Sequence, residues 1–252
     1  MEQEISIFHV AETDSTNLEV VRQAAEADRS RMYVAWADYQ HAGRGQKGTS
    51  WESECGKNLL FSVMLWPEGI EARRQFALSQ AMSLAVCEAL LQYAPEFRIK
   101  WPNDIYYKEQ KVSGTIIETT LRGPMVGRCI LGVGINVNQQ QFVSDAPNPV
   151  SLSMILGREL DVKSVLEDVL SRFASNCRSL EEGKIASLAQ QYKDLLIWKD
   201  GFHTYRDEQG EFSAQLVDIE PNGELVLSDT AGRERRYMFK QVRHIFRTLE
   251  CE

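Results

Sequence analysis

Apolar and polar positions change their period several times along the chain. IFHV at 7–10 is a short strand candidate, and the polar stretch Thr13 to Asn17 opens a helix reaching about Ala27. Met32 to Ala37 reads as a second strand. NLLFSVML at 58–65, mostly apolar and bounded by Gly56 and Pro67, reads as a buried one. From about Glu71 to Tyr93, Phe76, Ala77, Met82, Ala85, Val86, Ala89 and Leu90 recur at helical spacing and predict a long helix packed on a sheet. Strands at Arg98 to Lys100, Ile105 to Tyr107, Val112 to Leu121 and Met125 to Asn136 follow, and the turns KEQK and RGPM are too short for helical crossovers, so neighbours run antiparallel. Two helical segments, about Val162 to Leu180 and Ile185 to Leu196, come next. Near Trp198 the texture changes to short runs, GFHTYR, EFSAQLVDI, GELVLSD and RRYMFKQVRHI, punctuated by DEQG, EPNG and TAG, which predict a small all-β barrel. The pattern therefore predicts an α+β fold with a mixed, mainly antiparallel sheet packed with helices. It divides the chain into a main domain over 1–196 and a small β domain over 197–252.

Composition narrows the function more than the fold. With 252 residues and 43 % hydrophobic positions the chain can bury a substantial core. A net charge of −8 argues against general nucleic-acid affinity, which needs clustered cations. No apolar run approaches the roughly 20 residues that span a bilayer, and MEQEISIFHV has no signal-peptide character. The cysteines are odd in number, scattered and never in C-x-x-C pairs, as suits reduced thiols in a cytoplasm, and the dispersed histidines suggest no zinc site.

GRGQKGTS at 43–50 almost fits the phosphate-binding loop G-x-x-x-x-G-K-[ST], but its lysine precedes the second glycine. SWESECGKNLLFSVML, which follows, has a strand pattern where that motif needs a helix N-terminus, so the P-loop reading fails. A mobile surface turn is the plain alternative. Against it, Gln40, Arg44, Lys47 and Trp51 supply an amide, two cations and an aromatic face, parts from which anion-binding loops are built.

Four further stretches, TDSTN at 13–17, KWPND at 100–104, KVSG at 111–114 and GVGINVN at 132–138, occur in order with GRGQKG between the first two. Together they resemble the biotin protein ligases, over about residues 8 to 140, and the β-rich end resembles that family's SH3-like C-terminal domain. The resemblance implies a class II aminoacyl-tRNA-synthetase-like catalytic fold. It also implies activation of biotin by ATP and Mg2+ to biotinyl-5'-AMP with release of pyrophosphate, then transfer to a lysine of a biotin carboxyl carrier protein. The chain begins almost at the first catalytic strand, so the N-terminal DNA-binding domain of some relatives is not expected, nor is DNA or a membrane as partner. A cytoplasmic monomer or homodimer is expected. The rivals are a lipoate or octanoyl ligase of the same superfamily and a noncatalytic biotin- or nucleotide-binding module.

The resemblance assigns roles that the residue types can perform. A carboxylate must approach a phosphate, both anionic, so preorganised cations are needed; Lys111 and Arg44 are the expected catalytic residues, with Lys100 beside them. By itself a lysine in a hairpin turn is simply solvated. For biotin, the resemblance names Ser15, Thr16, Asn17, Gln40, Gly43, Arg44, Gly45, Trp51, Lys111, Gly114 and Gly132. For ATP or AMP it names Lys100, Asn103, Asp104, Lys111 and Asn136, with Asp104 the candidate magnesium ligand. Several have plain structural readings too: Thr16 to Glu19 fits a T-x-x-E capping box, KWPND a turn, GVGINVN a tightly packed strand, and Trp51 a buried aromatic. Gln46, Lys47 and Thr49 stand where relatives carry arginines, which raises the question of how firmly this loop retains an adenylate.

Overall fold

The computed structural model describes residues 4–24, 27–43, 45, 50–143 and 148–246. Its larger sheet has seven strands in the order β1-β2-β3-β7-β6-β5-β4. These are β1 (Ile5–Thr13), β2 (Met32–Gln40), β3 (Leu59–Leu65), β4 (Phe97–Lys100), β5 (Asp104–Tyr107), β6 (Gln110–Arg122) and β7 (Met125–Ile135). Every pair is antiparallel except β1 and β2, which run parallel because α1 (Thr16–Gln23) carries the chain back across the sheet between them. The short turns after β5 and β6 do make antiparallel hairpins, as their lengths require.

One face of the sheet carries α2 (Phe76–Leu91), with α4 (Val162–Glu181) and α5 (Ile185–Asp194) packed outside it. Buried on that side, α2 is apolar around most of its circumference. A helix covered on several sides needs no polar stripe. α1 takes the opposite face, where Val20 and Ala24 pack on Tyr33, Ala35, Met64 and Ile130. α3 (Leu152–Leu156) is a single short helix that the sequence pattern does not predict; it is held by Ser151, whose side chain accepts from the Met154 N–H, and by Gly157 in the left-handed conformation.

Local boundaries depart from the pattern in two informative places. The helix begins at Thr16 with Ser15 at its N-cap and no side-chain cap bond, so the T-x-x-E box does not form. Glu19 instead accepts from Thr13, Arg22 and Gln23. Lys111 is not in a turn but inside β6, opposite Tyr106, where the register shifts next to Ile105.

A second sheet, ordered β11-β10-β9-β8-β12, is antiparallel throughout. Its strands are β8 (His203–Asp207), β9 (Gly210–Ile219), β10 (Leu225–Asp229), β11 (Glu234–Tyr237) and β12 (Arg243–His244). It packs on the β4 end of the larger sheet: the Trp101 indole N–H donates to the Gly223 carbonyl at 3.0 Å, and the Phe239 ring lies 5.4 Å from Trp101 and 5.8 Å from Phe76. Gly223 has φ +91°, and a β-carbon there would stand 2.9 Å from the Phe76 ring, so only glycine lets the two parts approach this closely.

His244 is wedged among Trp198, Tyr205 and Phe246, with Lys100 and His203 as its charged and titratable neighbours. Burial first, then Lys100, pushes the imidazole down from 6.5 to about 3. The native protein therefore keeps His244 neutral where the unfolded chain protonates it, so this contribution to stability is complete above pH 6.5 and is lost as pH falls toward about 3. Thermal melts between about pH 5 and 6.5, above most carboxylate titration, should show wild-type stability declining with acid more steeply than that of His244→Asn. Parallel slopes would refute the effect.

Candidate active site

On the α1 face, the layer of side chains stops at three glycines. Gly132 and Gly134 lie two apart on β7, pointing the same way, and Gly134 is the register partner of Gly114 on β6. A β-carbon at Gly132 would stand 2.3 Å from Asn17 Oδ1, and one at Gly134 would stand 2.4 Å from Trp51 Cε2. At Gly114 it would meet Trp51 at 3.1 Å, Lys111 Nζ at 3.2 Å and Asp104 Oδ1 at 3.3 Å. The bare patch is therefore the floor of a site, with different chemistry at each end.

At the α1 end the polar side chains form a continuous chain. Gln40 Oε1 accepts from the Thr16 backbone N–H at 2.8 Å and from its hydroxyl at 3.1 Å. Ser62 Oγ, on β3, lies 2.7 Å from Thr16 Oγ1 and 2.6 Å from Asn17 Oδ1. Asn17 Nδ2 in turn donates to Glu118 Oε1, on β6, at 2.8 Å. Ser15, Thr16, Asn17 and Ser62 are all buried. Ser62 and Glu118 were not singled out from the sequence, although each is a polar interruption in an otherwise apolar or β-branched run.

At the other end Lys111 Nζ and Asp104 Oδ1 form an ion pair of 2.8 Å, half-buried beside the floor. Lys100 pairs with Asp104 in the β4–β5 ladder and rests its ammonium 5.4 Å above the Tyr106 ring. Burial lowers its pKa, with Asp104 opposing and Lys111 adding to the shift. Asn103 and Asn136, both buried, have amide groups committed within the protein: Asn103 Nδ2 donates to the Thr115 carbonyl at 2.8 Å and Asn136 Nδ2 to the Val150 carbonyl at 3.2 Å. Among the described residues no cluster of three or more His, Cys, Asp or Glu side chains could hold a metal by itself.

The glycine-rich stretch lies between Gly43 and Trp51. Its neck is closed by the Trp51 N–H donating to the Gly43 carbonyl at 3.0 Å. Gly45 is half-buried, whereas Arg44, Gln46, Lys47 and Thr49 lie outside the described residues, and with them the expected catalytic role of Arg44. The Trp51 indole lies flat against the floor at Gly134, with Lys111 Nζ 5.9 Å from its centroid and its own Nε1 buried without a partner. An unpaired buried N–H is costly, about 1–3 kcal/mol. Trp51 thus fills the bare patch at the expense of its own hydrogen bond.

Gly134→Ala should evict this indole, because the new methyl needs the space of Cε2 and Nε1. The emission of Trp51, obtained as the difference between each protein and its Trp51→Phe partner, is expected to shift to the red. An unshifted difference spectrum would mean that the indole does not rest there.

The profile of the biotin/lipoate A/B protein ligase family matches residues 10–136, a span that contains both ends of this site. The biotin--[acetyl-CoA-carboxylase] ligase of Paracoccus denitrificans is 30 % identical over 232 residues, covering 89 % of this chain and 95 % of that protein. The bifunctional ligase/repressor BirA of Bacillus subtilis (strain 168) is 28 % identical over 207 residues, 80 % of this chain but 63 % of its own length. The chain thus spans less than two thirds of the ligase/repressors it matches, 57 % for that of Salmonella typhimurium. Among solved structures, the biotin protein ligase of Aquifex aeolicus in complex with biotin and ATP is 28 % identical with a TM-score of 0.77, over 95 % of this chain and 99 % of that one. By its motifs, its fold and the matched span, the chain belongs to the biotin/lipoate A/B protein ligase family.

Proposed function

We propose that this chain is an ATP-dependent biotin protein ligase. The observation that carries the reading is the glycine floor with a buried polar hydrogen-bonded cluster at one end and the Lys111–Asp104 pair at the other. The Aquifex aeolicus relative, solved with biotin and ATP, and the Paracoccus denitrificans ligase support it. A lipoyl or octanoyl chain offers no donor or acceptor to the remaining valences of Thr16 and Gln40, and covering such a group without a partner costs about 1–3 kcal/mol.

In this reading Thr16, Asn17, Gln40 and Gly132 receive the ureido ring, with Ser15 buried at the head of α1. Gly114 leaves room for the valeryl carboxylate beside Lys111. The carboxylate oxygen attacks the α-phosphorus of ATP, forming the acyl phosphate bond as the bond to pyrophosphate breaks. Lys111 exchanges Asp104 for the incoming anions and lowers their mutual repulsion. Lys100, kept in a dry setting, adds positive charge on the nucleotide side. Because Asn136 Nδ2 is held by Val150, its Oδ1 is left to accept from the adenine amino group. A carrier lysine then attacks the acyl carbon and AMP leaves.

The residues fit magnesium only as an ion arriving with the nucleotide: one carboxylate, Asp104, suits a cation that keeps phosphate oxygens and waters as its other ligands. Bound so, it would neutralise phosphate charge. Trp51 has to lift from Gly134 to admit the ligands and then covers them, with Gly43 and Gly45 beside it. We further assign residues 1–196 to the ligase domain and 197–252 to the SH3-like domain. The partner is a biotin carboxyl carrier protein met in the cytoplasm, by a monomer or a homodimer.

ATP, Mg2+, biotin and a carrier domain together should yield covalently biotinylated carrier, and lipoate or octanoate in place of biotin should not. Lys111→Ala is expected to lower biotin-dependent pyrophosphate release by about two orders of magnitude or more, the scale of removing one transition-state contact. Folded wild-type protein that neither labels the carrier nor releases pyrophosphate would refute the ligase reading.

A further inference from the structure

The side chains at the α1 end leave one group without an assigned task. Glu118 stands on β6, exposed at its outer edge, and reaches across to the buried amide of Asn17. Its position opposite Ile130 puts it on the α1 face, four residues along the strand from Gly114. Lys111 is held by Asp104, and among the described residues Glu118 meets the site through Asn17 Nδ2.

Hydrogen-bond chemistry gives this contact a direction. A carboxylate only accepts, so Asn17 must turn its NH2 toward Glu118 and its carbonyl toward Ser62. An amide carbonyl also only accepts, so Ser62 spends its one proton on Asn17 Oδ1 and meets Thr16 as an acceptor. The Thr16 hydroxyl proton therefore goes to Ser62 Oγ, and Gln40 Oε1 keeps the Thr16 backbone N–H. What remains for a ligand is a lone pair on Thr16 and the NH2 of Gln40, whose carbonyl is already taken by Thr16. One acceptor and one donor side by side match the N–H and C=O of a cyclic urea.

We infer that Glu118 is a positioning residue that sets the donor and acceptor polarity of the ureido pocket through Asn17, Ser62 and Thr16, and so determines specificity for a urea-type ring. This rests on the biotin-ligase reading and deepens it. Without an acceptor at position 118, the Asn17 NH2 has no partner in its present orientation. The amide flips to donate to Ser62, Ser62 turns its proton onto Thr16, the Thr16 proton goes to Gln40 Oε1, and Ser62 takes up a Thr16 lone pair that the ring N–H would otherwise meet.

The requirement is for an acceptor, not for a charge, so Glu118→Gln and Glu118→Ala separate the two. Biotin binding without ATP, measured by calorimetry, and biotin-dependent pyrophosphate release are read in parallel for both variants. Glu118→Ala should weaken biotin binding and raise its KM by roughly tenfold, the loss of one well-formed hydrogen bond, with kcat and the KM for ATP within about twofold. Glu118→Gln should restore binding to within about threefold of wild type. Desthiobiotin, which keeps the ureido ring, should lose affinity in step with biotin. Unchanged binding by Glu118→Ala, an equal loss in Glu118→Gln, or a fall in kcat with constant biotin KM would overturn the inference while leaving the ligase reading intact. A wild-type protein that binds no biotin would overturn both.

Discussion

Gly132, Gly134 and Gly114 leave one patch of a seven-stranded sheet without side chains, and the arrangement around it follows from that opening. A sheet normally closes such a face with a helix, and α1 does so over the neighbouring Tyr33, Ala35, Met64 and Ile130. At the glycines the α1 N-terminus instead pushes Asn17 into the space above Gly132, to 2.3 Å from where a β-carbon would be. The same absence admits Trp51 onto Gly134. The site is thus a place where sheet packing has been left incomplete in a polar and charged setting.

Topology supplies the partners of this floor from distant parts of the sequence. The β1–α1–β2 crossover delivers Ser15, Thr16 and Asn17 at the helix start, and Gln40 at the end of β2 bonds back to Thr16. The hairpin of β5 and β6 brings Asp104 opposite the Lys111 segment, with the register shift near Ile105 allowing the ion pair to form. Behind the sheet, α2 and α4 fill the other face with an apolar core rigid enough to hold these pieces in register.

The strand and helix order was legible because it is written in periodicity: NLLFSVML is buried on both faces in β3, and the short KEQK and RGPM turns permit only hairpins. The motifs also pointed to the residues that gather around the floor. What local pattern could not convey was the long-range hydrogen bonding. T-x-x-E looks like a cap, yet Glu19 is claimed by Arg22, Gln23 and Thr13, and Ser15 starts the helix. Asn136 offers both faces of an amide on paper, but the Val150 carbonyl takes its donor. Ser62 and Glu118 carry no motif, because their meaning lies in contacts with Asn17 that are 45 and 101 residues away in sequence.

The groups that would meet ligand at the floor are already engaged with one another. Lys111 is paired with Asp104, Trp51 covers Gly134, and Thr16 is bonded to Gln40. Ligands must therefore replace internal contacts, so that only the difference between the two sets appears as affinity. The two ends differ in what they surrender. Thr16 and Gln40 keep their mutual bonds and offer their remaining valences, so the ureido end is preorganised. In the proposed reading Lys111 would change partner and Trp51 would move, letting the buried, unpaired indole N–H leave its costly position. A rigid recognition end beside a rearranging reaction end allows the ring to be selected before the charged chemistry is assembled. In the proposed reading, a ligand whose ring is held at the α1 end would bring its carboxylate to Lys111 without first disturbing the Lys111–Asp104 pair.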